Sequence, residues 1–150
     1  MAYLKWDEKT ITNFSEQNIN ALYNQGYLFG RTGKGEMYQT RSLRVDLKKF
    51  KLLSENRRIL KKTESIKLEQ HPLPCLDYHW SFGKLAKDFY DQKFGQRTFT
   101  ANKAKELLTD VAKSNFNLAL RYYYADQDRP IGFCIGFETS ELLHYCYPFY

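Results

Sequence analysis

Apolar positions recur along this chain with two periods, a helical one through most of the first two thirds and a period of two near the end. Behind Ser15, whose hydroxyl suits an N-cap, Ile19, Leu22 and Tyr23 fall at helical spacing, and Gly26 stops the run. Four glycines from Gly26 to Gly35 mark turns. Met37 to Leu47 reads as a strand, with Leu43, Val45 and Leu47 on one face and Arg44 and Asp46 on the other. Ser54 is the expected N-cap of a short helix through Lys62, followed by an extended piece, Ile66 to Leu68. His71-Pro72-Leu73-Pro74-Cys75 is the best internal break, because two prolines fix φ and remove donors. Ser81 then caps a helix with Phe82, Leu85, Ala86 and Phe89 inward, and Thr100 another with Ala104, Leu107, Leu108 and Val111 on one stripe. The last third alternates: Leu118, Leu120, Tyr122 and Tyr124, then Ile131 to Phe137, then Leu142 to Tyr150. Three such runs joined by short turns predict an antiparallel meander, so the fold class is α+β.

The chain is 150 residues long, which suits a single domain spanning 1–150. A composition 43% hydrophobic and 27% charged excludes the signature of disorder. Three cysteines cannot pair off as a disulfide framework. No stretch reaches the roughly 20 apolar residues of a membrane span, and Met1 to Thr10 lacks the apolar core of a signal peptide. The expectation is a cytoplasmic protein in a reducing compartment with no membrane partner.

Charge changes the picture more than composition does. The net charge is +6, yet Arg41 to Lys62 alone carries nine basic residues against Asp46 and Glu55, a net +7. The rest of the chain is close to neutral. Such a block is either a solvated helix face or the electrostatic footprint of a phosphate-bearing partner.

Candidate chemistry is sparse. His71, Cys75 and His79 are the only clustered metal-ligand types, and the prolines prevent the helix that would align them, so no metal or cofactor is assigned. Gly26 to Gly35 contains neither a dinucleotide nor a Walker signature and reads as a mobile hairpin turn presenting Arg31 and Lys34. Cys134 and Cys146 read as buried thiols on neighbouring strands. His144, amid Tyr145, Tyr147 and Tyr150, is a candidate base, though a histidine in an apolar strand is more often structural. Within Tyr122-Tyr123-Tyr124 at least one ring must enter the core, and tyrosines left facing a cleft could stack a nucleobase.

Several stretches carry a resemblance. Tyr23-Asn24-Gln25-Gly26-Tyr27, Arg31-Thr32-Gly33, Arg44 to Phe50, and Ser54-Glu55-Asn56-Arg57-Arg58-Ile59-Leu60-Lys61-Lys62 are similar, in order and spacing, to aminoacyl-tRNA–protein transferases. These are the arginyl- and leucyltransferases of the N-degron pathway. Asp88 to Phe94, and Pro130 to Phe133 through Tyr145 to Tyr150, resemble later family segments. The family's cysteine-rich stretch is replaced here by Glu36-Met37-Tyr38-Gln39-Thr40, so no iron–sulfur or metal site carries over. The resemblance implies an acetyltransferase-like mixed sheet of which this chain covers the front half to two thirds.

The implied activity is transfer of an aminoacyl group from aminoacyl-tRNA to the N-terminal α-amine of a protein. An aminoacyl ester is already activated and an α-amine has a pKa of ~7.7–8.0, so positioning supplies most of the work without a cofactor. The resemblance places Arg57, Arg58, Lys61 and Lys62 on tRNA phosphates. It places Arg31 and Arg44 on the acceptor's N-terminal residue, and His144, Tyr145 and Tyr147 near the reacting centre. The alternative is a non-catalytic tRNA- or RNA-binding or interaction module derived from that fold. An acyl-CoA acetyltransferase ranks third, since no glycine-rich pyrophosphate turn precedes a helix. Leu142 to Tyr150, nearly all apolar, suits a central strand buried on both faces. As a last strand it would be left bare unless a partner chain or a second copy covers it, or unless the chain is a cut fragment.

Overall fold

The computed structural model describes residues 5–150. A small sheet is built from β1 (Lys5–Thr10), β2 (Tyr27–Phe29) and β3 (Glu36–Thr40), in the order β1-β3-β2, with α1 (Glu16–Asn24) between its first two strands. After α2 (Ser54–Lys62), β4 (Ile66–Pro72) opens a second sheet that β5 (Leu118–Tyr124), β6 (Gly132–Glu138) and β7 (Leu143–Phe149) continue in spatial order. Helices α3 (Trp80–Phe94) and α4 (Ala101–Thr109) form the crossover between β4 and β5. The fold is therefore α+β, and the meander is present as β5-β6-β7. Every pair of strands among the described residues is antiparallel, which corrects the expected mixed sheet. Short turns force that direction on β5-β6-β7, and the two-helix crossover returns the chain antiparallel to β4.

One face of the large sheet holds the core. Phe133, Ile135, Phe137, Ala119 and Phe149 pack there against Ile19 and Tyr23 of α1, Phe82, Ala86 and Tyr90 of α3, and Leu107 and Leu108 of α4. Aromatic rings do much of the filling: Phe82 lies 4.7 Å from Phe133, Phe133 stacks on Phe149 at 5.2 Å, and Tyr90 stacks on Phe99 at 4.7 Å. Each such buried ring contributes about 1.5–3 kcal/mol of transfer free energy. The turn between β2 and β3 is fastened to this body by Asn115. Its Oδ1 accepts from Gly35 N at 2.7 Å, and its Nδ2 donates to the carbonyls of Gly30 and Gly33. Gly35 sits at φ +79 with a Cβ position that Ile11 O already occupies, so only glycine fits.

Local signals hold where side chains and backbone agree. Ser15 accepts from Asn18 N to cap α1, and Thr100 accepts from Lys103 N to cap α4. Tyr123 is the ring of its triplet that enters the core, and Tyr124 is exposed. Other expectations shift. The cap of α3 is His79, whose Nδ1 accepts from Ser81 N, rather than Ser81. Helix α2 begins at Ser54 itself, with Asn56 Oδ1 accepting from Leu53 N. Val111 lies beyond α4 and is exposed. The strand expected from Met37 to Leu47 ends at Thr40: β2 runs out opposite Gln39, and the described pairing with β1 extends to Lys5 opposite Thr40. Past that point the described residues offer no partner for its backbone, and an unpaired strand is not stable in water. Finally, among the described residues β7 pairs with β6 alone, so it lies at a sheet edge and is not a central strand. Nor is it buried on both faces: Leu143 and Tyr145 are exposed while His144 and Cys146 turn inward.

Candidate nucleic-acid interface

From Arg41 to Ser65 every residue is exposed except Asn56, which is partly covered. This segment leaves the small sheet at Thr40, contains α2, and returns at β4, so it stands off the body as an arm. Helix α2 has no buried residue at all. Its basic last turn, Lys61 and Lys62, complements the helix dipole, which together with Glu55 in the first turn accounts for a helix without a packed face. Among the described residues only Lys49 and Arg58 of the nine arm cations meet a carboxylate, Asp46 and Glu55 respectively. Arg57 donates to Leu52 O at 2.7 Å, and Arg44 donates to Asn24 Oδ1 at 2.7 Å, tying the arm's root to the end of α1. Arg57, Lys61 and Lys62 thus lie on one short exposed helix, with no carboxylate partner among the described residues.

The remaining candidate residues divide differently. His144 faces the helix-covered side of β7, where its Nδ1 lies 2.9 Å from the Tyr23 hydroxyl and its ring meets Tyr23 edge-on. Burial pushes its pKa down to about 4, so the imidazole is neutral at physiological pH. Burial raises the Tyr23 phenol in the same place. Tyr147 shares that side, edge-on to Phe116 at 5.4 Å and 5.7 Å from Phe99. Tyr145 does not. It pairs with Gly136 across the sheet, on the opposite face, and is 52% exposed. A bulge at Cys146 accounts for Tyr145 and Tyr147 facing opposite ways although two residues apart: Ile135 pairs with Tyr147 and Gly136 with Tyr145.

Arg31 is drawn onto the body. Its guanidinium lies 5.1 Å from the Phe99 ring and 5.7 Å from Tyr147, and Nη2 donates to Thr98 O at 2.9 Å. Lys34 donates to Ser114 O at 2.6 Å. The hairpin turn is therefore docked, not a free presentation of two cations. Arg31 and Tyr147 come together, whereas Arg44 stays on the arm. Phe99 also lines a cavity of about 270 Å³ with Lys87, Asp91, Gln96, Arg97 and Thr100. There Asp91 accepts from Lys87 Nζ at 2.7 Å and from Arg97 N at 3.0 Å, contacts that hold its carboxyl below the usual range.

The cysteine and histidine positions do not converge. Cys75 donates to Asp77 and accepts from Arg121 Nη2 at 3.0 Å, His71 meets Glu69, and His79 caps α3. Among the described residues no cluster of three or more potential metal ligands exists. Cys134 and Cys146 are free thiols whose pKa values burial pushes up to about 12. Arg121 went unremarked in the sequence. It is 3% exposed, forms a bidentate pair with Asp77 at 2.6 Å and sits over Phe82 and Phe133. A signal was available: Arg121 alternates with Leu120 and Tyr122, which puts a charge on the inward face beside Ala119 and Tyr123. Asn115 left no such signal.

No family model, curated protein or solved structure matches the chain. Among the described residues no helix is long and apolar enough to cross a membrane.

Proposed function

We propose that this chain binds RNA through the Arg41–Lys62 arm, and that the RNA is an aminoacyl-tRNA. The observation that supports this reading is the near-complete exposure of a segment carrying nine cations, of which only two have a carboxylate partner among the described residues. Side chains held out on a helix that packs against nothing contribute little to stability, whereas unneutralised cations gain counterion-release energy on phosphate. The family likeness of the Ser54 to Lys62 block supplies the choice of tRNA and the proposal of an acetyltransferase-like domain. Arg57→Ala, Arg58→Ala, Lys61→Ala and Lys62→Ala together test it. Alanine preserves helix propensity, and α2 buries nothing, so the body stays folded. Anisotropy titrations of labelled tRNA at several salt concentrations should show weaker binding, with the log–log salt slope reduced by about 0.7–0.9 for each phosphate no longer neutralised. Unchanged affinity and slope would sink the RNA assignment.

A second reading is transfer of the aminoacyl group to a protein N-terminus, and one arrangement favours it. Arg31 and Tyr147, assigned by the resemblance to acceptor and reacting centre, meet at the Phe99 ring that lines the cavity. In that cavity the ionised Asp91 carboxylate could take part in holding an α-ammonium. Radiolabelled arginyl- and leucyl-tRNA, offered with peptides beginning in Asp, Glu, Arg or Lys, test this directly, with Arg31→Ala as the control. No labelled peptide from any combination, with tRNA binding intact, leaves the binding module as the function.

A further inference from the structure

The large sheet has a second face, and no helix among the described residues packs on it. Strand register puts Ile66, Leu68 and Gln70 of β4, Leu118, Leu120, Tyr122 and Tyr124 of β5, Cys134 and Gly136 of β6, and Tyr145 of β7 on this side. The floor is closed, with Leu118, Leu120 and Cys134 at 2%, 6% and 0% exposure. Above it the tyrosines remain accessible: Tyr145 at 52%, Tyr124 at 45%, and Tyr122 partly covered. Tyr145 stands opposite Gly136, two strands and thus roughly 10 Å from β5. Its phenol nonetheless interacts with the Tyr122 phenol and the Cys134 thiol. The Tyr122 ring leans toward β6, with Cδ2 3.7 Å from where a Cβ on Gly132 would stand.

Charge specifies the occupant. Helix α2 ends at Lys62 and β4 begins at Ile66, so the base of the +7 arm joins the edge of this sheet within a few residues. On the strands of this face the carboxylate is Glu138, at the end where β6 turns toward β7, and at the arm's end Asp126 and Asp128 stand in the β5–β6 turn, where Asp128 faces Lys67. A second copy of the chain is the poorer fit. Two +6 molecules repel, and the β7 edge carries the Cys146 bulge and Pro148, which lacks an N–H, both obstacles to strand addition.

We propose that the helix-free face of β4-β5-β6-β7 is a stacking platform for unpaired RNA bases, with Tyr145, Tyr122 and Tyr124 as the aromatic surfaces and the arm holding the adjoining phosphates. The inference rests on the RNA-binding reading and adds the substrate class, a single-stranded segment rather than a duplex. Exposed aromatics on an open antiparallel sheet suit splayed bases, since every base has a π-face.

Full-length protein would be titrated with a labelled oligoadenylate strand and with a blunt RNA duplex of equal length, as wild type and as Tyr124→Ala/Tyr145→Ala. Both side chains are exposed, so folding is little affected. The expected result is at least about a tenfold loss of single-strand affinity, from about 1–3 kcal/mol per stacked base at 1.4 kcal/mol per tenfold, with duplex affinity and salt slope unchanged. Tyr124→Phe/Tyr145→Phe should restore the single-strand affinity. Unaltered single-strand affinity in the alanine variant, alongside RNA binding that still depends on the arm, overturns the platform and leaves the arm reading standing. A concentration-dependent dimer that Tyr145→Ala dissolves, seen by sedimentation, overturns it in favour of a second copy. Wild-type protein that binds neither RNA overturns the arm reading itself, and the platform with it.

Discussion

His144 offers the sharpest test of how this core handles a titratable group. Its ordinary pKa is 6.5, and in the folded protein burial against Tyr23 and Phe137 lowers it to about 4. A group with a depressed folded pKa binds its proton first in the unfolded chain. Its contribution is therefore fully present above about pH 6.5, declines as pH falls, and is gone below about 4. At 1.36 kcal/mol per pH unit, the whole gap is worth about 3 kcal/mol, of which about 2 kcal/mol should be lost between pH 7 and pH 5. Urea unfolding at half-unit steps through that range would measure the loss as a falling midpoint at constant slope. His144→Asn keeps a neutral acceptor near the Tyr23 hydroxyl but cannot titrate. The variant should start less stable and then stay level from pH 7 to 5. The same decline in the variant, or a His144 ring resonance titrating near pH 6.5 in the folded protein, would refute the argument. Either outcome also bears on chemistry, since a base of pKa about 4 is unprotonated yet weak at neutral pH.

Other perturbations probe the remaining layers. Asp77→Ala strips Arg121 of its carboxylate partner and leaves it the Cys75 sulfur; the loss should be about 1–3 kcal/mol, less than a fully buried pair costs, because Asp77 is 66% exposed and screened. Gly35→Ala forces a side chain onto Ile11 O at positive φ and should cost about 1–3 kcal/mol, read as a lower denaturation midpoint. Ile59→Ser and Leu60→Ser on the arm should move stability by no more than about 0.5 kcal/mol, whereas Ile135→Ala in the core should cost about 2–5 kcal/mol. Equal effects of the arm and core changes on unfolding would show that the arm is packed in solution.

How legible the candidate site was depends on the range of the interaction behind each part. The cation block was visible at once, because charge is a property of composition and α2 takes its form from local signals. The sequence could not say that the block stands free of the body. The apolar residues Leu43, Val45 and Leu47 read as one face of a strand, but they are exposed, and among the described residues no neighbouring strand pairs with them. Arg31 looked like a presented cation, and two rings and a carbonyl far along the chain made it a docked one.

The sequence by itself determined the α+β class, the caps at Ser15 and Thr100, the meander, and the concentration of charge between Arg41 and Lys62. Each follows from interactions within a few residues or from a period that one element imposes. Tertiary structure decided which face of the sheet the helices cover, that β7 lies at an edge, and that one bulge at Cys146 separates Tyr145 from Tyr147. Those outcomes turn on which strands are left without neighbours and on a single extra residue in a ladder. A period of two names two faces but cannot say which of them will be buried.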